Sequence, residues 1–382
     1  MKVRFPNPPR LAAMGMSAAL ALTALAARAD IVTGPYLQAV GENTITVLAE
    51  CDSDAPATVE YGLAASYGKT ATTTAMVAPS GGTVKTQVHR IKLTGLEPNK
   101  SYHYRVRHGA TTSADFTFRT APPPGTPVRW AFLADCRTNT AIHDAVSERL
   151  AKIDKPSVML YGGDLCGNSS YDAFKKEFLR PKEMALCGNV PFFNTPGNHE
   201  GWSANTRAFT QEPGDGTSGY YSLDYGDMHA LCVNFLVPHD ANSPQYAFAK
   251  KDLAETKRAW KIVFVHSPAY CSGGHGEDKK MKDMTAAIFE PNKVDMVLAG
   301  HSHFYQHNLV NGIHHMVIGS FGAPLYPPKN APYVVKMARD YCYGVFDMTA
   351  TKLTLNVYND KGTLLETIVM EKKAPGGARA DR

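Results

Sequence analysis

The chain has 382 residues, 44% of them hydrophobic and 20% charged, with a formal charge of +5. That is the composition of a folded protein of two or three domains, neither disordered nor embedded in a membrane. Residues 1–29 contain Lys2, Arg4, Arg10 and Arg28 and no acid, so the +5 falls to +1 for the remaining chain. A near-neutral body gives no argument for a nucleic-acid partner or an anionic membrane surface.

The first element is a leader. Lys2, Arg4 and Arg10 precede a short apolar run from Leu11 to Ala26, and Ala27-Arg28-Ala29 supplies a small-x-small cleavage pattern. Residues 1–29 therefore read as a secretory signal, which predicts a secreted or periplasmic protein with no membrane span after cleavage. The run is short for an uncleaved anchor. Export permits disulfides. The seven cysteines all lie beyond the leader, so at least one stays unpaired within the chain. Spacing does not fix connectivity. Cys136 and Cys166 either pair, if their strands are neighbours, or stay as two buried thiols.

Residues 30–121 show short alternating stretches, such as Thr44–Leu48, Ala57–Tyr61 and His89–Leu93, punctuated by Gly and Pro with no helical segment between them. This predicts an all-β sandwich. The stretch Leu93 to Val106 resembles the tyrosine-corner region of fibronectin type III domains, with Tyr102 as the corner residue. Residues 122–127, beginning Pro122-Pro123-Pro124-Gly125, read as a stiff linker.

Residues 128–372 read differently. A nearly continuous apolar strand, Val128–Leu133, is followed by a helix over Ala141–Ile153, whose buried face is expected to carry Ile142, Val146, Leu150 and Ile153. Strands follow at Ser157–Tyr161, near Phe192, and at Ala230–Phe235, Lys261–Val265 and Val294–Leu298, with an amphipathic helix over Tyr171–Leu179. Strands alternating with helices indicate a layered α/β domain. Three C-terminal strands (Tyr343–Asp347, Lys352–Tyr358, Leu364–Met370) would extend a sheet, and residues 373–382 read as a flexible tail.

Polar residues recur where apolar strands end: Asp135, Gly163-Asp164, Gly197-Asn198-His199-Glu200, His266, and Gly300-His301-Ser302-His303. Loops at the carboxyl ends of strands form the ligand crevice of open α/β sheets. Each motif alone is weak, because a lone Gly-Asp or strand-end His usually caps a loop. Five in order imply one crowded site, and burying so many carboxylates and imidazoles is costly without cations. Mixed carboxylate, amide and imidazole donors suit Fe, Zn or Mn.

With these motifs the chain resembles the calcineurin-like metallophosphoesterases, and within them the purple acid phosphatase-like group, which also places a fibronectin-like domain first. The resemblance implies an N-terminal β-sandwich followed by an α/β four-layer sandwich of two mixed sheets flanked by helices. It further implies two divalent or trivalent metal ions bridged by Asp164. Asn198, His266 and His301 would hold the second metal, and Asp135 and His303 the first. His199 matches the histidine that contacts phosphate and leaving group, and His275 falls at the spacing of another substrate-contacting histidine. Two departures stand out. Gly167 replaces the group's metal-binding tyrosine, so no ferric–tyrosinate colour is expected. Ala134-Asp135-Cys136-Arg137 lacks the alternative first-metal histidine. The fourth first-metal ligand is then water, Asn139 or Asn168, and Arg137 either reaches into the cleft toward phosphate or makes a surface or structural salt bridge. Tyr305 is a candidate pocket residue. His229, His314, His315, His89, His103 and His108 read as structural or exposed.

The expected reaction is hydrolysis of a small phosphomonoester by in-line attack of a metal-bound hydroxide. Phosphodiester hydrolysis on the same site and an inactive exported binding protein are the rivals. A serine-hydrolase elbow, Gly-x-Ser-x-Gly, is absent from the sequence.

Overall fold

The computed structural model describes residues 30–214 and 216–373; the expected leader and all but the first residue of the expected tail lie outside them. The N-terminal part is all β, with strands from Ile31–Gln38 to Phe116–Arg119. Along Ser101–His108 every second residue (Tyr102, Tyr104, Val106, His108) is buried, the period-two pattern of a strand with one face in a core. Tyr102 closes the predicted corner, its hydroxyl accepting the Glu97 backbone N–H at 3.0 Å.

The second part has four layers, because its parallel strands are apolar on both faces. One sheet centres on Val128–Leu133, Val158–Tyr161 and Phe192–Asn194, which run parallel. The other centres on Met228–Val233, Trp260–Val265 and Met296–Ala299, also parallel. Trp130, Phe132 and Leu160 of the first sheet meet Ile262, Phe264 and Leu298 of the second in one core. Helices cover the outer faces: Val146, Leu150, Phe174 and Met184 against the first sheet, and Leu253, Met281 and Ile288 against the second. The three C-terminal strands, Cys342–Met348, Lys352–Asn359 and Leu364–Glu371, extend the first sheet as expected. No described helix is long and apolar enough to cross a membrane.

The two parts share a sheet. Ile31–Gln38 pairs in parallel with Phe192–Asn194 through Gln38 and Phe192, making a ten-stranded sheet that runs from the C-terminal strand into the N-terminal sandwich. Side chains reinforce the seam. The Tyr36 hydroxyl donates to the Phe209 carbonyl at 3.0 Å, the Tyr104 hydroxyl to that of Gly188 at 2.7 Å, and Tyr171 and Lys175 reach the buried Glu50 at 2.7 Å each.

One helix buries a different face from the expected one. Over Thr140–Arg149 and the wider turn Leu150–Asp154, Val146 and Leu150 are buried, but Ile142 is half-buried and Ile153 is 60% exposed. Their places are taken by His143 and Ser147, which bond the buried carboxylate of Glu183 at 2.9 and 2.6 Å. Tyr161 and Cys187 complete the carboxylate's shell. A satisfied polar cluster is as buriable as an apolar one, and a count of apolar residues does not register it.

His229, read as structural or exposed, is buried in the Tyr221–Tyr225/Met228–Val233 hairpin between Asp224 (2.8 Å) and Asp252 (2.7 Å). Burial pulls its pKa down, but the two carboxylates outweigh burial and raise it to about 9. A folded pKa above the unfolded one gives stability that is complete below about pH 6.5 and is lost as pH rises through about 9. Asp252→Asn is therefore expected to cost ~1–3 kcal/mol near pH 6 and less near pH 10. Denaturant unfolding at both pH values checks this, and an equal loss at each would contradict it.

Candidate metal centre

All five motif loops leave the carboxyl ends of the central strands of the two facing sheets, so they meet at one end of the inter-sheet core. Their turns are sharp. Asp135, Asp164 and His301 have φ of 58°, 53° and 69°, a left-handed backbone that Asp and His tolerate better than most residues and that concentrates at functional sites. Gly163, at φ +87°, lets the chain pass where a Cβ would lie 2.8 Å from both the Gly197 nitrogen and His266 Nδ1.

The structure brings Asp135, Asp164, Asn198, His266, His301 and His303 together. His266 Nδ1–H donates to the Gly162 carbonyl at 2.7 Å, which leaves a lone pair on Nε2. That nitrogen faces Asn198 Oδ1 at 3.0 Å, His301 Nδ1 at 3.2 Å and Asp164 Oδ1 at 3.4 Å. His303 Nδ1–H donates to the Pro324 carbonyl at 2.7 Å, and its Nε2 lies 3.5 Å from Asp135 Oδ1. Ligand atoms of Asp135, Asp164 and His303 lie within 4.8 Å of one another. Imidazoles fixed through one nitrogen by a backbone carbonyl present the other as a metal ligand.

The donor set fits cations. Asp135 Oδ1 is buried with no hydrogen-bond partner, a position that costs free energy unless something positive meets it. Burial and the neighbouring His266 and His275 push His301 down to about 3, so its imidazole is neutral. Burial pushes Asp164 up, but His266, the His199 N–H and Arg137 outweigh it and hold the carboxyl below its ordinary value. Glu200 is the reverse case: burial and the Asp164 charge push it well up, and its Oε1 accepts the Gly197 N–H at 2.7 Å.

Around this cluster lie the residues expected on the substrate side. His199 donates its Nδ1–H to the Gly167 carbonyl at 2.9 Å, and its Nε2 stands 3.7 Å from Asp164 Oδ2. His275 stacks on His301 with ring centroids 4.2 Å apart. Arg137 turns inward, its Nε 3.2 Å from Asp164 Oδ2 and its Nη2 3.3 Å from His303 Nε2.

Three expectations are corrected. Tyr305 is fully buried in the inter-sheet core and donates to Glu366 at 2.5 Å, because its strand, Tyr305–Val310, directs that residue inward. Asn168 turns its side-chain oxygen onto the Ser170 N–H at 2.9 Å, and Asn139 is an exposed helix-start residue; neither reaches the cluster. Cys136 and Cys166 do not pair: every cysteine is free and buried, and these two donate to the carbonyls of Leu165 and Asn168 at 3.2 Å each. The residue sequence reasoning missed is Tyr326. It stacks on His303 with centroids 4.2 Å apart and lines, with His275, Pro327 and Lys329, a cleft of about 400 Å³. No motif marks it, since it lies in a proline-rich loop beyond the Gly300–His303 motif.

Residues 129–305 match the calcineurin-like phosphoesterase family, and residues 33–120 match the purple acid phosphatase N-terminal domain. Purple acid phosphatase 21 of Arabidopsis thaliana is 28% identical over 240 residues, covering 58% of this chain and 53% of that protein. Acid phosphatase type 7 of Danio rerio is 24% identical over 341 residues, covering 77% of this chain and 75% of that one. The chain spans about half the length of the curated Arabidopsis relatives it matches. Among solved structures, purple acid phosphatase PPD1 from yellow lupin superposes with a TM-score of 0.78 at 20% identity, over 91% of this chain and 77% of that one. A structure of PhoD superposes at 0.64 with 14% identity, over 90% of this chain and 93% of that one.

Gly163→Ala would push on Gly197 and on the His266 ring. It is expected to weaken metal retention about 10–100-fold, the usual cost of disturbing a ligand's support, measured by competition with a chelator. Retention equal to wild type would mean that the Gly163 turn does not set the position of His266.

Proposed function

The chain joins a purple acid phosphatase N-terminal domain to a calcineurin-like phosphoesterase domain, and from that premise we propose that it is an exported phosphatase that hydrolyses phosphomonoesters with two bound metal ions. The observation that carries this reading is that His266 Nε2 lies 3.0 Å from Asn198 Oδ1 and 3.2 Å from His301 Nδ1. The lone pairs of His266 Nε2 and Asn198 Oδ1 repel unless a cation lies between them. Asn198, His266, His301 and Asp164 would hold one ion, and Asp135, His303 and Asp164 the other, with Fe, Zn or Mn suited to the donors. Two such ions supply an activated water nucleophile and neutralise charge on the phosphoryl oxygens.

The chain's own residues do the rest. Arg137, only 11% exposed, spends one face of its guanidinium on Asp164 and His303 and keeps the remaining N–H groups for phosphate oxygens, a planar match to that anion. His199 is fixed through Nδ1, so its Nε2 faces the departing ester oxygen, and as the imidazolium it would donate the proton with which the alcohol leaves neutral. His275 backs His301, and Tyr326 with Lys329 frames the mouth through which the organic part of the ester extends. Export rests on the sequence of residues 1–29.

A monoaryl phosphate should be turned over faster than its bis-aryl counterpart, and chelation should abolish turnover until Zn, Mn or Fe is restored. Turnover that survives complete metal removal would refute the proposal, and a preference for the diester would shift it to a phosphodiesterase. His199→Ala is expected to lower kcat about 10²–10⁴-fold while the metal content stays constant. Because Gly167 stands three residues after Asp164, iron-loaded protein should show no tyrosinate absorption in the visible range; such a band would reveal a tyrosine ligand.

A further inference from the structure

We infer that the N-terminal β-sandwich contains a second kind of metal site, formed by Cys51, His89 and His108 and suited to a borderline or soft cation such as Zn²⁺. The inference is independent of the phosphoesterase reading, because these residues lie in the other part of the chain.

The site is built between the two sheets of the sandwich. Ala49 stands opposite His89 in the antiparallel pair Ile45–Cys51/Gln87–Leu93. Cys51, two residues beyond Ala49, therefore shares the inward face with His89. His108 comes from the end of Ser101–His108 in the facing sheet. All three are fully buried, and one ligand atom of each lies within 4.8 Å of the other two.

The imidazoles are set up as ligands are. The loop that follows Cys51 turns back over the cluster and offers two carbonyls. His89 Nε2–H donates to Ser53 at 2.9 Å, and His108 Nε2–H donates to Ala55 at 3.0 Å, with Ser53 Oγ at 3.2 Å sharing the latter nitrogen. Carbonyls on one nitrogen fix the tautomer and leave the lone pair on the other. At His108 that other nitrogen, Nδ1, is buried with no hydrogen-bond partner, and Asp52 Oδ1 is 3.9 Å from it. At His89 it meets the Thr73 hydroxyl at 2.9 Å. That hydroxyl has a second acceptor in the Ala57 carbonyl at 3.2 Å, so it can release the imidazole without being stranded. Cys51 Sγ has only a distant contact, 3.9 Å, with the Ala49 carbonyl.

One thiolate and two imidazoles, with the Asp52 carboxylate beside them, form a set that favours Zn²⁺ over harder ions. Binding forms the metal–sulfur bond and sends the thiol proton to solvent. The ion would tie one sheet of the sandwich to the other. It would enter by displacement of the loop through Asp54, Ala55 and Pro56, all exposed.

Sulfur separates this site from the phosphoesterase centre, whose clustered donors are only oxygen and nitrogen. Metal-stripped full-length protein is titrated with Co²⁺ while near-ultraviolet thiolate-to-cobalt charge-transfer absorption is followed. The expected result is a band that saturates with one equivalent and is displaced by Zn²⁺. Cys51→Ser should lose the band and bind one equivalent fewer, with monoaryl phosphate turnover unchanged. His108→Gln, which keeps the thiol, should weaken the band's Co²⁺ dependence about tenfold or more. If Cys51→Ser does not fold, the His108→Gln titration decides. The inference is overturned if wild type shows no band, if Cys51→Ser keeps it, or if His108→Gln leaves its Co²⁺ dependence unaltered.

Discussion

The structure is organised by an electrostatic demand: several lone pairs and carboxylates are forced into one small volume at the meeting of two sheets. His266 Nε2 and Asn198 Oδ1, 3.0 Å apart, are both acceptors, because the His266 Nδ1–H donates to the Gly162 carbonyl. Asp135 Oδ1 is buried and unpaired. Interiors rarely tolerate such groups, and here they come from five separate loops. The arrangement makes sense as a receptor for positive charge, with the free-energy gain deferred until a cation arrives.

The fold meets that demand with backbone rather than with further side chains. Carbonyls of Gly162, Gly167 and Pro324 each take one imidazole N–H and so aim the opposite nitrogen. Left-handed residues at Asp135, Asp164 and His301 turn the chain sharply enough for side chain and backbone to act together. The His301 N–H reaches Asp135 Oδ2 at 2.9 Å and the His199 N–H reaches Asp164 Oδ1 at 3.0 Å, so each acidic residue is steadied by the loop of another motif. The strain is local, and the wide apolar core beneath it, from Trp130 to Leu298, keeps the strand ends from relaxing.

The sequence makes the parallel strands and their terminal motifs legible because an apolar run ending in Asp or His is a strong pattern over a few residues. Tyr102 was equally readable, since a corner closes over five residues. What pattern misses is contact between distant segments. The family resemblance suggests Tyr305 for the pocket, yet strand direction carries it into the core, and Tyr326 takes the place over His303 from a loop with no motif. The buried His143–Ser147–Glu183 cluster displaced Ile153 from the helix's inner face, because polar groups that satisfy one another carry no hydrophobic signature. His89 and His108 read as unremarkable residues because they lie on consecutive strands of different sheets, and only the packing of the two sheets brings them to Cys51. Pairing of Cys136 with Cys166 failed on direction, as each thiol faces a carbonyl of its own neighbourhood.

The seam at Gln38 and Phe192 gives the two parts a common fate. Phe192–Asn194 is the strand that delivers Asn198 and His199, and its outer rim is closed only by Ile31–Gln38. Excising the N-terminal part would leave that rim bare, an open template for other chains, next to the loop that needs the firmest footing. The molecule is therefore not a pair of interchangeable modules. Any graft or truncation that treats residue 128 as a clean start would trade a braced strand for a sticky one.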